Sequence, residues 1–451
     1  MAEHDVPETV PRSEDDGVIF VSIDEHEVSN LRAMLNEVFG EEQFLVQIVW
    51  KKRSTPPNDQ IIGANHEYII AYARNANYVS LNLKARSKDQ IARYKNPDNH
   101  PKGPWTPGDL MANVKGGRYV PSLHYPIRNP NSGEDHYPSS NGNWRFSYQR
   151  MSGLMAANEI YFGEDGLGRP KLKRFLADVK DGVTYPTIWD FVPLNTAGSA
   201  EMTRILGSLT AFENPKPTGL IEELIRLGCD QDGLVLDFFA GSGTIGHAIL
   251  AVNAGNGGTR RYLMVQIPEP TESEFESISR LSRIRMKRVA EATNAKTMNV
   301  SQRHSEVKPD IGFRSYKLTK SNFRPWHGPL SQGSTMASQL EIFSENLVED
   351  RTSEDILTEI LLRSGFELTE AVERLELAGK EVFSVADGAM LVCLDPSLTL
   401  EVIEAMGARD PGQIVVLDAG FANNDQLKVN AVQAITTRAR GGQKTIAFKV
   451  V

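Results

Sequence analysis

Apolar positions near the start of the chain follow the patterns of an α/β sheet. Three short apolar runs predict strands: Val18-Ile-Phe-Val-Ser-Ile23, Phe44-Leu-Val-Gln-Ile-Val-Trp50 and His66-Glu-Tyr-Ile-Ile-Ala-Tyr72. Between the first two runs, apolar residues recur at helical spacing at Val28, Leu31, Leu35 and Val38. Gly40 follows directly and is the expected end of that helix.

A second apolar pattern covers residues 234–250. Leu234-Val-Leu-Asp237 predicts a strand, and an apolar helix is predicted to start near Thr244, with Gly241, Gly243 and Gly246 at the turn. A strand that breaks into a glycine turn and restarts as a helix can bring bare backbone close to a nucleotide-like ligand. The plainer interpretation is a glycine turn in an ordinary α/β domain. An amphipathic helix ending at Gly228 precedes the turn, and residues 258–269 predict the next strand.

Between residues 84 and 195 the apolar periodicity weakens, and basic and aromatic residues interleave. Positive charge holds phosphates and flat rings stack on bases, so this region is a candidate nucleic-acid surface. Alternatively, its aromatic residues fill a small core. The candidate DNA contacts, two of which lie before the region, are Lys51, Lys52, Arg93, Tyr94, Lys95, Lys102 and Trp105.

The segment Ile278 to Ala292 predicts a strongly basic helix. Its cations are Arg280, Arg283, Arg285, Lys287 and Arg288. Such a helix could grip DNA, but a charged, solvated face is the commoner explanation.

The last part of the chain predicts a separate small α/β unit. Residues 329–340, rich in Gly, Ser and Thr, are the predicted linker, and residues 341–451 follow it. The expected helices are 353–364 and 399–405, and the expected strands are 380–385, 390–394 and 414–417. None of these elements has catalytic spacing, so we interpret the unit as an accessory or assembly module.

Composition narrows the class of protein. A chain of 451 residues is too long to fold around one compact core, so two or three domains are expected. The formal charge of −9 favours a local basic patch over a protein that coats nucleic acid along its whole surface. With only Cys229 and Cys393, neither a disulfide framework nor a cysteine-ligated zinc site is expected, and no metal site is predicted. Residues 1–16 predict an acidic tail unlike a signal peptide, no apolar run reaches membrane-spanning length, and a cytoplasmic location is expected.

The glycine turn fits two ligand classes. Gly241-Ser-Gly-Thr-Ile-Gly246 satisfies the dinucleotide pattern G-x-G-x-x-G, and Glu269 near the next strand could accept hydrogen bonds from ribose, so a nicotinamide enzyme is a competitor. Against it, Asp237-Phe-Phe-Ala240 separates the strand from the first glycine. A carboxylate there would repel a pyrophosphate but suits a ligand that carries an ammonium group, which favours S-adenosylmethionine. A P-loop is excluded because no Lys-Ser/Thr follows the glycines.

Several motifs together resemble a known family. Asp237-Phe-Phe-Ala-Gly-Ser-Gly-Thr244, preceded by Asn214-Pro-Lys-Pro217, resembles the methionine-side cofactor motifs of amino DNA methyltransferases in the permuted β-class order. The likeness narrows to the modification (Mod) subunit of type III restriction-modification systems. It rests also on Asp16–Asp24, Asn65–Tyr68, Tyr94–Asn99 with Gly103–Trp105, Gly312–Tyr316, Ser384–Gly388 and Gly420–Leu427.

The resemblance implies a fold and a domain plan. The fold is an α/β, Rossmann-like S-adenosylmethionine-dependent methyltransferase sheet in permuted order, incomplete at its N-terminus, plus a small C-terminal α/β domain. The expected plan is a tail (1–16), second-half strands (17–83), a target-recognition and DNA-contact region (84–195), a cofactor-binding half (196–328), the linker (329–340) and the accessory domain (341–451).

The resemblance also implies roles and partners. The cofactor-binding residues would be Lys216, Pro217, Asp237, Phe239, Gly241, Ser242, Gly243, Thr244 and Glu269. Expected partners are double-stranded DNA, a restriction (Res) subunit, and either a second copy of this chain or a partner chain that supplies a missing catalytic segment. By analogy with the family, the C-terminal unit would serve subunit contacts. The implied reaction is site-specific methylation of adenine N6.

One departure from the family pattern concerns catalysis. The family's tetrapeptide, Asp/Asn/Ser-Pro-Pro-Tyr/Phe/Trp, is expected upstream of Gly17, and none of the preceding residues spells it; the nearest string is Thr55-Pro-Pro-Asn58. Because an exocyclic amine is a poor nucleophile, the tetrapeptide must hold the extruded base and its amine. No catalytic residue is therefore assigned. This chain is expected to be inactive alone, and methyl transfer is expected only when another polypeptide supplies the segment. The alternative is a non-catalytic DNA- or partner-binding remnant.

Overall fold

The computed structural model describes residues 15–58, 61–112, 119–139, 142–207, 211–300, 310–324, 347–422, 424–440 and 446–451. The chain divides into two units, Arg12–Gly312 and Phe313–Val451. The predicted linker, 329–340, and nearly all of the predicted tail lie outside the described residues.

The first unit contains a four-stranded sheet near its start. Strands β1 (Val18–Ile23), β2 (Phe44–Lys51) and β3 (His66–Ala73) occupy the order β1-β3-β2, and β9 (Ile188–Trp189) adds to β2 in parallel. The three predicted strands are confirmed. Helix α1 (Val28–Phe39) ends before Gly40 as predicted and packs on one face through Leu35. Val38 is 66% exposed, however, because Phe39 instead of Val38 turns toward Tyr72.

A parallel pair of strands carries the glycine turn. Strand β10 (Leu234–Asp237) pairs with β11 (Arg261–Met264), and helix α6 (Thr244–Asn256) connects them. Helices α5 (Thr218–Gly228) and α7 (Ile278–Val300) also cover this side of the pair, through clusters that include Val235 and Tyr262. Because α5 also packs on the four-stranded sheet through Leu220 and Leu227, one helix supports both sheets.

Much of the segment 84–195 folds around a small core of its own, whereas β9 belongs to the four-stranded sheet. The elements are α2 (Lys88–Ala92), β4 (Trp105–Gly108), β5 (Ile127–Arg128), β6 (Asp135–His136), α3 (Tyr148–Ala156), β7 (Ile160–Tyr161) and β8 (Lys171–Phe175). Strands β4, β8 and β7 form an antiparallel sheet, and β5 and β6 form a hairpin. Helix α4 (Asn195–Leu206) then leads back to the glycine turn.

The second unit is a five-stranded mixed sheet with helices. Its strands, in spatial order, are β12 (Val372–Leu377), β13 (Lys380–Val385), β14 (Met390–Cys393), β15 (Gln413–Val416) and β16 (Ala447–Val450). Helices α8 (Ser353–Arg363), α9 (Leu400–Gly407) and α10 (Asp425–Arg440) complete it. The predicted helices and strands are present within a few residues, whereas β12, α10 and β16 were not predicted. The unit includes residues 313–324, ahead of the predicted linker, since Phe323 packs against its core.

No helix within the described ranges is long and apolar enough to cross a membrane.

Candidate functional site

The glycine turn lies at the carboxyl end of β10. Gly241 and Gly243 have φ values of +51° and +77°, which favour glycine. A Cβ on Gly243 would lie 2.5 Å from the Ser282 Oγ of α7, so close packing also demands glycine there. The backbone conformation therefore favours glycine at both positions, and the packing of α7 requires it at Gly243 as well.

Asp237 ends β10 with a carboxylate that has no basic partner among the described residues. Its Oδ1 accepts a hydrogen bond from the backbone N–H of Phe239 at 3.2 Å. Burial raises the pKa of Asp237, and the Phe239 hydrogen bond offsets part of that rise. Within the described part of the chain, no lysine or arginine forms an ion pair with it. A partly buried carboxylate in this state is a ready acceptor for a cationic group.

Two phenylalanines follow Asp237 and are exposed. Phe238 is 50% exposed and Phe239 is 82% exposed, and their ring centroids lie 5.1 Å apart. A large apolar side chain that is already exposed beside the turn can cover a ligand with little rearrangement of the protein.

Ser242 and Thr244 are buried and face the protein interior. Both hydroxyls accept hydrogen bonds of 2.9 Å from the guanidinium of Arg285. Their side chains therefore hold the turn in place, and the cofactor contact that the resemblance implies for these two residues stays a prediction.

The loop before α5 is tied to the four-stranded sheet. Lys216 donates to Glu67 on β3 and lies 5.2 Å from the centre of the Trp50 ring. Pro217 is buried and directly precedes α5. Lys52 also donates to Glu67, at 3.1 Å. Glu67 thus pairs with two lysines that were predicted to belong to different sites, Lys52 to the DNA contacts and Lys216 to the cofactor site.

The Glu67 carboxyl is held ionised by this arrangement. Burial acts to raise its pKa, but hydrogen bonds and charge from Lys216 and Lys52 outweigh burial and leave the pKa below its ordinary value. Since the folded-state pKa is lower than the unfolded one, Glu67 stabilises the fold above its unfolded pKa, and this contribution is lost as the pH falls.

We expect Glu67→Gln to lower the free energy of unfolding by about 1–3 kcal/mol at pH 7, because two partly buried lysines lose their counter-charge. Urea unfolding at pH 7 and pH 4 measures the effect, and the difference between parent and variant should shrink at pH 4. An equal difference at both pH values would contradict this account. Glu41→Gln, at an exposed position, is the control.

The strand after α6 brings an unexpected residue to the turn. Gln266, two residues beyond the end of β11, accepts a 2.6 Å hydrogen bond from the backbone N–H of Gly241. Glu269 is exposed, and its backbone pairs with Ile278. Among the described residues, its carboxylate makes no hydrogen bond with the turn, so its role in ribose binding stays a prediction.

The candidate DNA contacts separate into two groups. Lys51, Arg93 and Lys95 are exposed, and Tyr94 is partly exposed. By contrast, Lys52 is largely buried against Glu67, Lys102 is paired with Glu159 at 2.7 Å, and Trp105 is 5% exposed. The first group is available to a nucleic acid. In the second group, Lys52 and Trp105 are used inside the protein, whereas the Lys102 side chain is 45% exposed and paired with a carboxylate at the surface.

The aromatic residues of 84–195 divide similarly. Trp105 and Trp144 are buried, and Trp144 packs in a small core, as the alternative interpretation held for such residues. Tyr119 and Tyr148 are 50% and 63% exposed, and so could stack on a base.

Helix α7 contributes a residue that sequence reasoning placed elsewhere. Arg285, one of the cations of the basic helix, is 0% exposed and bonds to the turn. A signal was available: Leu281, Ser282, Arg285, Met286 and Val289 share one helical face, and an arginine within an apolar face indicates a buried partner.

Comparison with known proteins places the chain among DNA-modifying enzymes. A family model described as DNA methylase matches residues 8–264. The Mod subunit of the type III restriction-modification enzyme StyLTI of Salmonella typhimurium is 35% identical over 321 residues, covering 67% of this chain and 46% of that protein. The EcoP15I Mod subunit of Escherichia coli is 25% identical, covering 92% of this chain and 67% of that protein. The chain thus spans between about half and two thirds of the length of these relatives.

Among solved structures, a DNA modification methylase of Thermus thermophilus in complex with S-adenosyl-L-methionine matches 62% of this chain and 70% of its own. Its sequence identity is 15% and its TM-score 0.27. The family model alone covers more than half of the sequence. The chain belongs to the DNA methylase family.

Proposed function

We propose that this chain is the modification subunit of a type III-like restriction-modification system and that it binds S-adenosylmethionine for methyl transfer to adenine N6 in DNA. The observation that carries the proposal is the Asp237 carboxylate, unpaired with any described cation, beside a turn of bare glycine backbone. Family membership and the similarity to Mod subunits support it.

The residues around the turn fit this cofactor. Asp237 would accept hydrogen bonds from its ammonium group, the backbone of Gly241 and Gly243 leaves room for the methionine portion, and Phe239 would cover it. When bound, S-adenosylmethionine supplies a methyl group activated by a sulfonium centre. A nicotinamide dinucleotide fits less well, because its pyrophosphate would meet the Asp237 carboxylate.

The sheet geometry supports the need for a further polypeptide segment. Strands β1 and β10 each have an edge that pairs with no described strand. On the face of the β10–β11 pair away from α6, Leu234, Leu236 and Leu263 are 51–54% exposed. Parallel strands are normally covered on both faces. We therefore propose that a segment in another polypeptide, or in a longer form of this one, adds a strand at β10 and covers this apolar face.

The same segment would supply the missing chemistry. It would carry the Asp-Pro-Pro-Tyr type of tetrapeptide, which accepts hydrogen bonds from the target amine and stacks on the extruded base. The residues of this chain would then hold the methyl donor, and the added segment would hold the acceptor. Contacts with a restriction subunit or a second copy through the C-terminal unit complete the proposal.

Methyl transfer from labelled S-adenosylmethionine to DNA tests the function. We expect the chain alone to bind S-adenosylmethionine by calorimetry and to transfer little methyl, and transfer to appear when the product encoded immediately upstream of Met1 is added. Cofactor binding without methylation under either condition would favour a non-catalytic remnant. Binding of NADH in preference to S-adenosylmethionine would overturn the proposal.

We propose that three exposed cations, Lys51, Arg93 and Lys95, contact DNA phosphates. Arg93→Glu combined with Lys95→Glu should weaken DNA binding by roughly tenfold or more and flatten its dependence on salt, because fewer counterions are released. Fluorescence anisotropy at several salt concentrations measures both quantities. Lys317→Glu with Lys320→Glu, also exposed, is the charge-matched control. Equal weakening by both double variants would indicate an effect of net charge alone.

A further inference from the structure

Arg285 is a fully buried cation with hydrogen bonds to several separate segments. Its Nη1 donates to Ser242 Oγ and Thr244 Oγ1, both at 2.9 Å, and lies 3.3 Å from the Ser242 carbonyl oxygen. These bonds join α7 to both ends of the short stretch that contains Gly243. The guanidinium therefore fixes the turn from beneath, on the side away from solvent.

The other end of the guanidinium reaches the first residue of α5, directly after the Pro-Lys-Pro loop. Arg285 Nη2 donates to Thr218 Oγ1 at 3.4 Å and lies 3.3 Å from Nδ1 of His247. Thr218 directly follows Pro217, the last residue of the Pro-Lys-Pro loop. One side chain thus connects the glycine turn with the second segment of the proposed cofactor site.

Glu201 of α4 completes the network. Its Oε2 accepts hydrogen bonds from the backbone N–H and the Oγ1 of Thr218, at 3.0 and 2.5 Å, and lies 4.0 Å from Arg285 Nη2. Burial lowers the pKa of Arg285 to about 10, and the charge of Glu201 partly opposes this.

Burying the Arg285 charge costs free energy, and the contacts of the guanidinium offset this cost only in part. A single carboxylate at 4.0 Å is its only ion pair in the described structure, and its Nε has no hydrogen-bond partner there. Well-packed apolar residues often stabilise a core at least as well as a buried ion pair does. Stability alone therefore does not explain an arginine here, whereas the need to hold two polar segments at a fixed separation does.

We propose that Arg285 is a positioning residue for the cofactor site: it sets the glycine turn and the Pro-Lys-Pro loop in the relative position that binds S-adenosylmethionine. The inference rests on the proposed function. Arg285 touches neither solvent nor the exposed face of the turn, so its effect on the cofactor passes through Ser242, Thr244 and Thr218.

Calorimetric titration of the full chain with S-adenosylmethionine tests the role. We expect Arg285→Met to raise the Kd at least tenfold and Arg285→Lys to give an intermediate value, because lysine keeps the charge but cannot bond to both segments at once. The control is Val289→Ala, four residues further along the same helix face, which should lower the Tm but leave the Kd within twofold of the parent value. An equal loss of affinity in Val289→Ala would overturn the proposal, since general destabilisation would then explain the result.

Two further variants keep the test decisive if Arg285→Met does not fold. Thr218→Val removes the hydroxyl that joins Arg285 to Glu201, and Glu201→Gln removes the charge that faces Arg285; neither alters the turn, and each should raise the Kd about threefold to tenfold. Affinities within twofold of the parent value in both would overturn the proposal.

Hydrogen exchange of the unliganded protein separates this inference from the proposed function. We expect Arg285→Lys to speed amide exchange in residues 240–247 and 214–218, while Val289→Ala leaves both segments unchanged. If the parent does not bind S-adenosylmethionine, the proposed function fails, and the exchange rates still report whether Arg285 holds the two segments. Unchanged exchange in Arg285→Lys, with unchanged affinity where binding is seen, would overturn the positioning role.

Discussion

Asp237→Asn is expected to weaken S-adenosylmethionine binding by roughly tenfold to a hundredfold, while the unliganded protein becomes no less stable. Hydrogen bonds to a charged group contribute about 1.5–3 kcal/mol, which corresponds to that range of affinity. Asparagine keeps an oxygen that can accept the Phe239 hydrogen bond, so the loop geometry is retained. Calorimetry gives the affinity, and thermal unfolding gives the stability.

The pH dependence of the same variant follows from the raised pKa of Asp237. Because burial disfavours the ionised form in the folded state, the carboxylate costs stability at neutral pH, and the cost disappears as the pH falls through the raised pKa. The variant should therefore be at least as stable as the parent at pH 7, and the two should converge in acid.

Asp232→Asn is the matched control for Asp237→Asn. Asp232 is exposed and lies just before β10, and its substitution should change neither affinity nor stability. A loss of affinity in both variants would mean that the net charge near β10 matters and not the position of the carboxylate. Unchanged affinity in Asp237→Asn would remove the observation on which the proposed function depends.

Leu236→Asp combined with Leu263→Asp should abolish methyl transfer in the presence of the product encoded upstream of Met1, while the isolated chain stays folded. The two leucines are directly opposite each other on β10 and β11 and are 54% and 51% exposed. A charge at such exposed positions is well solvated and usually changes stability by no more than about 0.5 kcal/mol. The repulsion between two like charges on facing strands adds a cost of roughly 0.2–1 kcal/mol. If a further segment covers this face, the same charges become buried and unpaired, and the segment cannot dock.

The measurements for this double variant are methyl transfer with the upstream product, S-adenosylmethionine affinity and Tm. The affinity of the isolated chain should stay close to the parent value and its Tm should fall by only a few degrees, while methyl transfer is lost. Leu362→Asp, at a 54% exposed position of the second unit, is the control and should keep methyl transfer. Full methyl transfer by the double variant would show that this apolar face does not bind the segment.

The pattern of apolar, polar and glycine residues predicted many of the strands, helices and turns, because the conformation of a short segment depends largely on its own residues. The apolar runs at 18–23, 44–50 and 66–72 are strands, and the helix after the first of them ends before Gly40. The turn at Gly241–Gly243 could be predicted because its positive φ values require glycine. Strand β16, close to the end of the chain, was not predicted; it is defined by pairing with β15.

The partners of charged side chains could not be predicted in the same way. A basic helix was interpreted as a solvated or DNA-binding face, yet Arg285 is buried beneath the turn. Trp105, a candidate for stacking on DNA, donates its indole N–H to Asp98 at 2.8 Å. Sequence shows which groups carry charge or an aromatic ring, but burial depends on which segments pack against them.

The sequence by itself determined the strand-turn-helix unit, the carboxylate at its start and the family to which these motifs point, because each depends on residues close together in the chain. The tertiary structure decided which of those side chains are exposed at the turn and which are buried beneath it. It pairs Lys216 with Glu67, 149 positions away, and brings Arg285 to Ser242, 43 positions away. Such pairings depend on the packing of whole helices and sheets, since the ion pairs and hydrogen bonds of the site form only once distant segments have met.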